Sequence, residues 1–147
     1  MQEILLVEDT DSDAELTLRT LKVVGVANPV RRIPDGAEAM AYLTRLEKTS
    51  DVAAGPSVLL LDVKLPGFTG FEILQRIKGR PALSKTLRVV LSQLDDTKSI
   101  KQAYAFGADS FLSKPVGELD LRELIRTFPG HWIVGNAARS LFSQPRI

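Results

Sequence analysis

The sequence predicts an α/β fold, a doubly wound five-stranded parallel sheet, on three observations. Short apolar runs of strand length recur five times along the chain. A stretch with helical spacing of apolar residues follows each one, and the runs read as buried strands. Parallel strands need crossovers, and right-handed crossovers put helices on both faces of the sheet. The chain has 147 residues, 44% of them hydrophobic, which suits one domain with a single sizeable core.

The first unit is the run at 4–7 followed by a helix. Ser12, Asp13, Ala14 and Glu15 read as a capping box that starts this helix, and Gly25 stands where it would stop. In the second unit, the run at 30–33 leads through an Asp35-Gly36 turn to Ala37, Met40, Ala41 and Thr44 at helical spacing. The third run, 58–61, precedes a Pro/Gly-marked loop, and Thr69-Gly70-Phe71-Glu72 forms a second capping box before Ile73, Leu74 and Ile77. The run at 87–91 pairs with the pattern Ile100, Ala103, Tyr104, Gly107, and that at 110–112 with Leu121, Leu124, Ile125, Phe128. Residues 48–56 are polar and small, as in an exposed loop, and 131–147 have no place in the five units.

Lys plus Arg number 19 against 18 Asp plus Glu, so no global field draws the chain to nucleic acid or membrane. There are no cysteines, which removes disulfides and thiolate metal sites and agrees with a reducing cytoplasm. No apolar run approaches the length of a signal peptide or a membrane span. A cytoplasmic protein without a membrane segment is expected.

The polar residues fall where such a fold keeps its chemistry, outside the carboxyl ends of the strands. The stretch VLLLDVKLPGFTG at 58–70 delivers Asp62 to that edge; Glu8 and Asp9 arrive after the first run, Ser92 after the fourth and Lys114 after the fifth. In the strand order 2-1-3-4-5, that of flavodoxin-like (β/α)5 folds, strands one and three are neighbours, so the acidic pair would face Asp62. Clustered carboxylates repel one another and favour a hard divalent cation with oxygen ligands, the habit of Mg2+. A carboxylate beside such an ion can attack a phosphoryl group. The metal, Lys114 and the Ser92 hydroxyl would then cover its three equatorial oxygens.

Together with their order, the stretches ILLVED, LLLDVKLPGFTGFE, VVLS and FGADSFLSKP resemble the receiver domain of two-component response regulators. The resemblance implies Asp62 as phosphoacceptor, Glu8 and Asp9 as the acidic metal pair, and the backbone carbonyl of Lys64 as a further Mg2+ ligand. It also implies Ser92 as switch hydroxyl, Phe111 as switch aromatic, and a cis peptide between Lys114 and Pro115. A sensor histidine kinase would be the phosphoryl source. Lys64, Gln93 and Leu94 depart from the commonest pattern and are expected to modulate phosphoryl lifetime. Phe111 lacks the hydroxyl of the frequent tyrosine, so a switch there must work through ring packing.

The expected organisation is a receiver domain at 1–128, a tail at 129–147 and no DNA-binding or other output domain, which makes a stand-alone phosphorelay switch rather than an enzyme. The segment from Phe128 to Ile133, with the long 48–56 loop, resembles small single-domain regulators paired with phytochrome-type kinases. Trp132, Ile133, Val134, Leu141 and Phe142 form an apolar set that a homodimer through the fifth helix and tail would bury, packing back onto the domain being the alternative.

Other readings compete. Asp9-Thr10-Asp11 resembles the nucleophile motif of haloacid-dehalogenase-type Mg2+-dependent phosphatases, with Asp9 as nucleophile, but no acidic pair immediately follows the strand of Lys114. A nucleotide-binding domain would need a glycine-rich first turn, which is missing. A docking module that is never phosphorylated would not need the intact polar set. Taken singly, Glu8 and Asp9 read as a helix-capping acidic cluster with Asp11, Ser12 and Asp13. Arg31 and Arg32 read as solvated surface and the lone His131 as a structural residue.

Overall fold

Five strands alternate with five helices in the computed structural model, which describes residues 2–48, 55–93 and 96–135. The strands are β1 Ile4–Val7, β2 Val30–Ile33, β3 Val58–Asp62, β4 Leu87–Ser92 and β5 Ser110–Ser113. Between and after them lie α1 Asp11–Val23, α2 Gly36–Glu47, α3 Gly70–Ile77, α4 Thr97–Ala105 and α5 Glu118–Thr127. All pairs are parallel and the order is β2-β1-β3-β4-β5, the doubly wound arrangement expected from the sequence.

Every residue of β1, β3 and β4 is buried, because helices cover both faces of these central strands. The alternating side chains supply two core layers. Ile4, Leu6, Val58, Leu60, Val89 and Leu91 point to the face that carries Leu21, Leu121, Leu124 and Ile125 from α1 and α5. Leu5, Val7, Leu59, Leu61 and Val90 point to the face that carries Leu43, Ile73, Leu74 and Ile77 from α2 and α3.

The caps show which local signals the fold uses. Thr69 and Glu72 form a reciprocal capping box at the start of α3, as their spacing predicts. Gly25 ends α1 with φ 94°, its N–H bonded to the Lys22 carbonyl and that of Val26 to the Leu21 carbonyl, the two bonds of a Schellman motif. The expected box at Ser12 and Glu15 is not formed. α1 begins earlier, with Thr10 at the N-cap and no side-chain cap, and Ser12 lies inside the helix. Asp11 and Asp13 in the first turn supply negative charge to the helix start instead. The expected turn at Asp35-Gly36 is a helix start: the Asp35 side chain accepts from the Glu38 N–H.

The chain beyond α5 still belongs to the domain. Trp132 is buried in the α1/α5 core layer, and Val134 packs against that layer and bridges Val26 in antiparallel fashion. The Ile133 N–H donates to Asn28 Oδ1, and the Ala27 N–H to the Ile133 carbonyl. For Trp132 and Val134, then, the apolar segment packs back onto its own domain, while Ile133 stays 39% exposed. Leu141 and Phe142 lie outside the described residues, as does most of the 48–56 loop. No helix among the described residues is long and apolar enough to cross a membrane.

Candidate functional site

Parallel register brings the strand ends level. Val7 is paired with Leu61, Asp62 with Leu91, and Ser92 with Ser113, so the residues that end or follow β1, β3, β4 and β5 meet at one edge. Asp62 is itself the last residue of β3 and is buried, as is Ser92 at the end of β4. The Lys114–Pro115 peptide is cis. Gly70 closes the floor of the site: a Cβ there would collide with the backbone of Asp62 and Val63, and its N–H donates to the Val63 carbonyl.

Lys114 is the hub. Its side chain is only 7% exposed, and Nζ lies 2.6 Å from Glu8 Oε1, 2.9 Å from Asp13 Oδ2 and 3.1 Å from Asp62 Oδ2. Burial works against the ammonium, but contacts with Glu8, Asp13 and Asp62 outweigh it and raise its pKa above that of an ordinary lysine. Glu8 is fully buried. Burial first, and then the neighbouring Asp62 carboxylate, push its pKa up to about 7 against the opposing pull of Lys114. Glu8 and Asp9 are adjacent in sequence yet differ in setting, for Asp9 is exposed at the rim.

Glu8, Asp9 and Asp62 each offer a carboxylate oxygen, and these atoms lie within 4.8 Å of one another. Glu8 Oε2 accepts from the Thr10 N–H, but buried Oε1 receives no well-directed hydrogen bond despite its closeness to Lys114. Its positive partner is the Lys114 ammonium, which Asp13 and Asp62 share, so one cation serves three carboxylates. Three carboxylate oxygens this close together, one of them at the solvent rim, fit a hard divalent cation that keeps some of its water.

Lys64 and Gln93 are exposed, and with Asp9, Thr10, Asp13, Asp62, Ser92 and Lys114 they line a cleft of about 230 Å3. The Lys64 N–H donates to Asp62 Oδ1 at 3.3 Å. Phe111 is partly buried against the α2/α3 core layer, and Leu94 lies outside the described residues. Neither Arg31 nor Arg32 is merely solvated. Arg31 Nε lies 3.3 Å from buried Glu3, while Arg32 donates to the Glu8 carbonyl, bracing the loop that carries the acidic pair, and also pairs at 2.7 Å with the exposed Asp11. His131 receives the Ser57 hydroxyl on its carbonyl and packs on the opposite end of the sheet, a structural role.

Sequence reasoning missed Asp13 as a site residue and Arg32 as the brace of the loop after β1. Asp13 had a signal, since an acid in the first turn of a helix that starts at the crevice can turn back into it. Arg32 had none, because its contact depends on the pairing of β2 with β1.

The model of the response regulator receiver domain matches residues 4–126. The probable methanogenesis regulatory protein FilR2 of Methanothrix harundinacea is 32% identical over 90% of this chain and 84% of its own. The bacteriophytochrome response regulator AtBRR superposes with TM-score 0.73 at 36% identity, covering 91% of this chain and 96% of that one. The Mn(2+)-bound form of response regulator Rcp1, a Synechocystis protein, gives TM-score 0.66 at 29% identity over 87% and 91%. Nothing in these likenesses favours the phosphatase reading that rests on Asp9. A receiver implies a histidine kinase as its partner and an acidic pocket suited to Mg2+ or Mn2+. This chain belongs to the response regulator receiver domain family and is a phosphoacceptor of two-component signalling.

Proposed function

We infer that Asp62 is the phosphoacceptor, and the observation that carries this is its position between the buried ammonium of Lys114 and the acidic pair. An Asp62 carboxylate oxygen attacks phosphorus as the bond from phosphorus to the donor's leaving atom breaks, and the leaving group departs with that electron pair. An ionised aspartate needs no general base. When bound, Mg2+ neutralises charge on the phosphoryl oxygens. Glu8, Asp9, Asp62 and the Lys64 carbonyl would hold it, while Lys114 and the Ser92 hydroxyl take the remaining oxygens. Movement of Ser92 towards the phosphoryl group, with repacking of the Phe111 ring, would carry the change to the β4-α4-β5-α5 face.

The likeness to a bacteriophytochrome response regulator supports a phytochrome-type kinase as the donor in the cytoplasm. A homodimer through α5 and the residues after 135 is supported by Leu119, 79% exposed on α5, and by Leu141 and Phe142 in the sequence. Acetyl phosphate with Mg2+ tests the acceptor. Label should appear on the wild type and be abolished in Asp62→Asn. Label retained by that variant and lost in Asp9→Asn would overturn the assignment.

A further inference from the structure

An ammonium has three N–H donors, and Lys114 already has three carboxylates within contact distance. For Lys114 to hold a phosphoryl oxygen, one of these contacts must be given up or converted. Asp62, the acceptor on the reading above, on which this inference rests, must keep its carboxylate aimed at phosphorus until the new bond forms, so its contact passes to the phosphoryl group only after transfer. Glu8 is fully buried and cannot turn its carboxylate to water. Asp13 differs from both. Its side chain is 26% exposed in the first turn of α1 and lines the cleft mouth, so it can release the lysine into solvent at small cost.

We propose that Asp13 is a positioning residue that acts through Lys114: its carboxylate holds the ammonium in the resting protein and competes with the incoming phosphoryl group for it. Asp13 thereby sets how readily the site accepts a phosphoryl group. The carboxylate is not a ligand of that group, and charge on the helix start is not its mode of action. Asp11 separates the two effects. It is an acid of the same helical turn, but it pairs with Arg32 rather than Lys114.

The test uses the full chain with acetyl phosphate and Mg2+ at donor concentrations below saturation, following acyl-phosphate formation by intact mass. Asp13→Asn should label roughly two- to fivefold faster than wild type, the scale of a partly exposed ion pair. It should bind beryllofluoride, a phosphoryl mimic, more tightly by a similar factor. Asp13→Glu, which keeps the carboxylate, should return towards the wild-type rate, and Asp11→Asn should match wild type. An Asp13→Asn rate equal to or below wild type overturns the proposal. So does equal acceleration by Asp11→Asn, which would make the effect one of general charge. Asp62→Asn run in parallel keeps the two readings apart, because label persisting there refutes the acceptor assignment, whereas its absence beside an unaltered Asp13→Asn rate refutes only the role of Asp13.

Discussion

Glu8 and Asp9 are neighbours of the same charge, yet burial pushes Glu8 up to about 7 while Asp9 stands at the solvent rim. Nothing in the pair itself encodes that division. It follows from the last buried pair of β1, which leaves Glu8 beneath Lys114 and turns the next residue outward. Asp62, Ser92 and Lys114 were legible in the sequence because each sits at or just past the end of an apolar run, where one topological rule locates it. Asp13 offered only the signal of an acid in the first turn of a helix at the crevice, and Arg32 offered none, since its contact depends on the pairing of β2 with β1. Gln93 is a case where legibility ends in an experiment: it is exposed and lines the cleft, where a long side chain can crowd the phosphoryl group. The next residue in sequence, Leu94, has an apolar side chain with no group that could hydrogen-bond water. The double variant Gln93→Ala/Leu94→Glu should lose its acyl phosphate faster than wild type, measured as decay after donor removal. Equal decay in the two proteins would discard the idea.

At the scale of elements, the signals that proved right were those with a single geometric solution. Thr69 follows a Pro/Gly-marked loop and stands as the N-cap of α3 with Glu72 at N3, and their box forms. The start of α1 was misplaced because Thr10, Asp11, Ser12 and Asp13 are all competent N-cap residues. Thr10 takes the N-cap position without a side-chain cap, so local capping strength does not decide among them. Gly70 couples an element to the site directly, since α3 starts against the backbone of Asp62 with no room for a methyl group. Gly70→Ala should therefore do two things at once. Overpacking should lower stability by about 1–3 kcal/mol in urea unfolding, and the displaced Asp62 backbone should slow labelling by acetyl phosphate. An unchanged urea midpoint would show that the loop can yield.

For the whole molecule the question is where the domain ends. Apolar periodicity stops at Phe128, which suggests a boundary there, because periodicity registers helices and not a single aromatic returning to the core. Trp132 is 7% exposed beside α1 and α5, and the chain around it is fastened by the Asn28 side chain and the Ala27 and Gly25 backbone. The two cuts that separate tail from domain are then unequal. Truncation after Phe128 removes Trp132 and exposes the core it covers. Loss of a buried aromatic alone costs about 3–5 kcal/mol, so this variant should unfold at markedly lower urea concentration. Truncation after Gly135 keeps those contacts and should unfold close to the full chain. The chain cut after Gly135 is also the one that can test self-association, since a monomer produced by cutting at 128 could reflect a damaged domain. If the full chain sediments as a dimer and the chain cut after Gly135 as a stable monomer, residues 136–147 carry the contact. If both truncations unfold like the full chain, Trp132 contributes nothing to the fold and the boundary returns to Phe128.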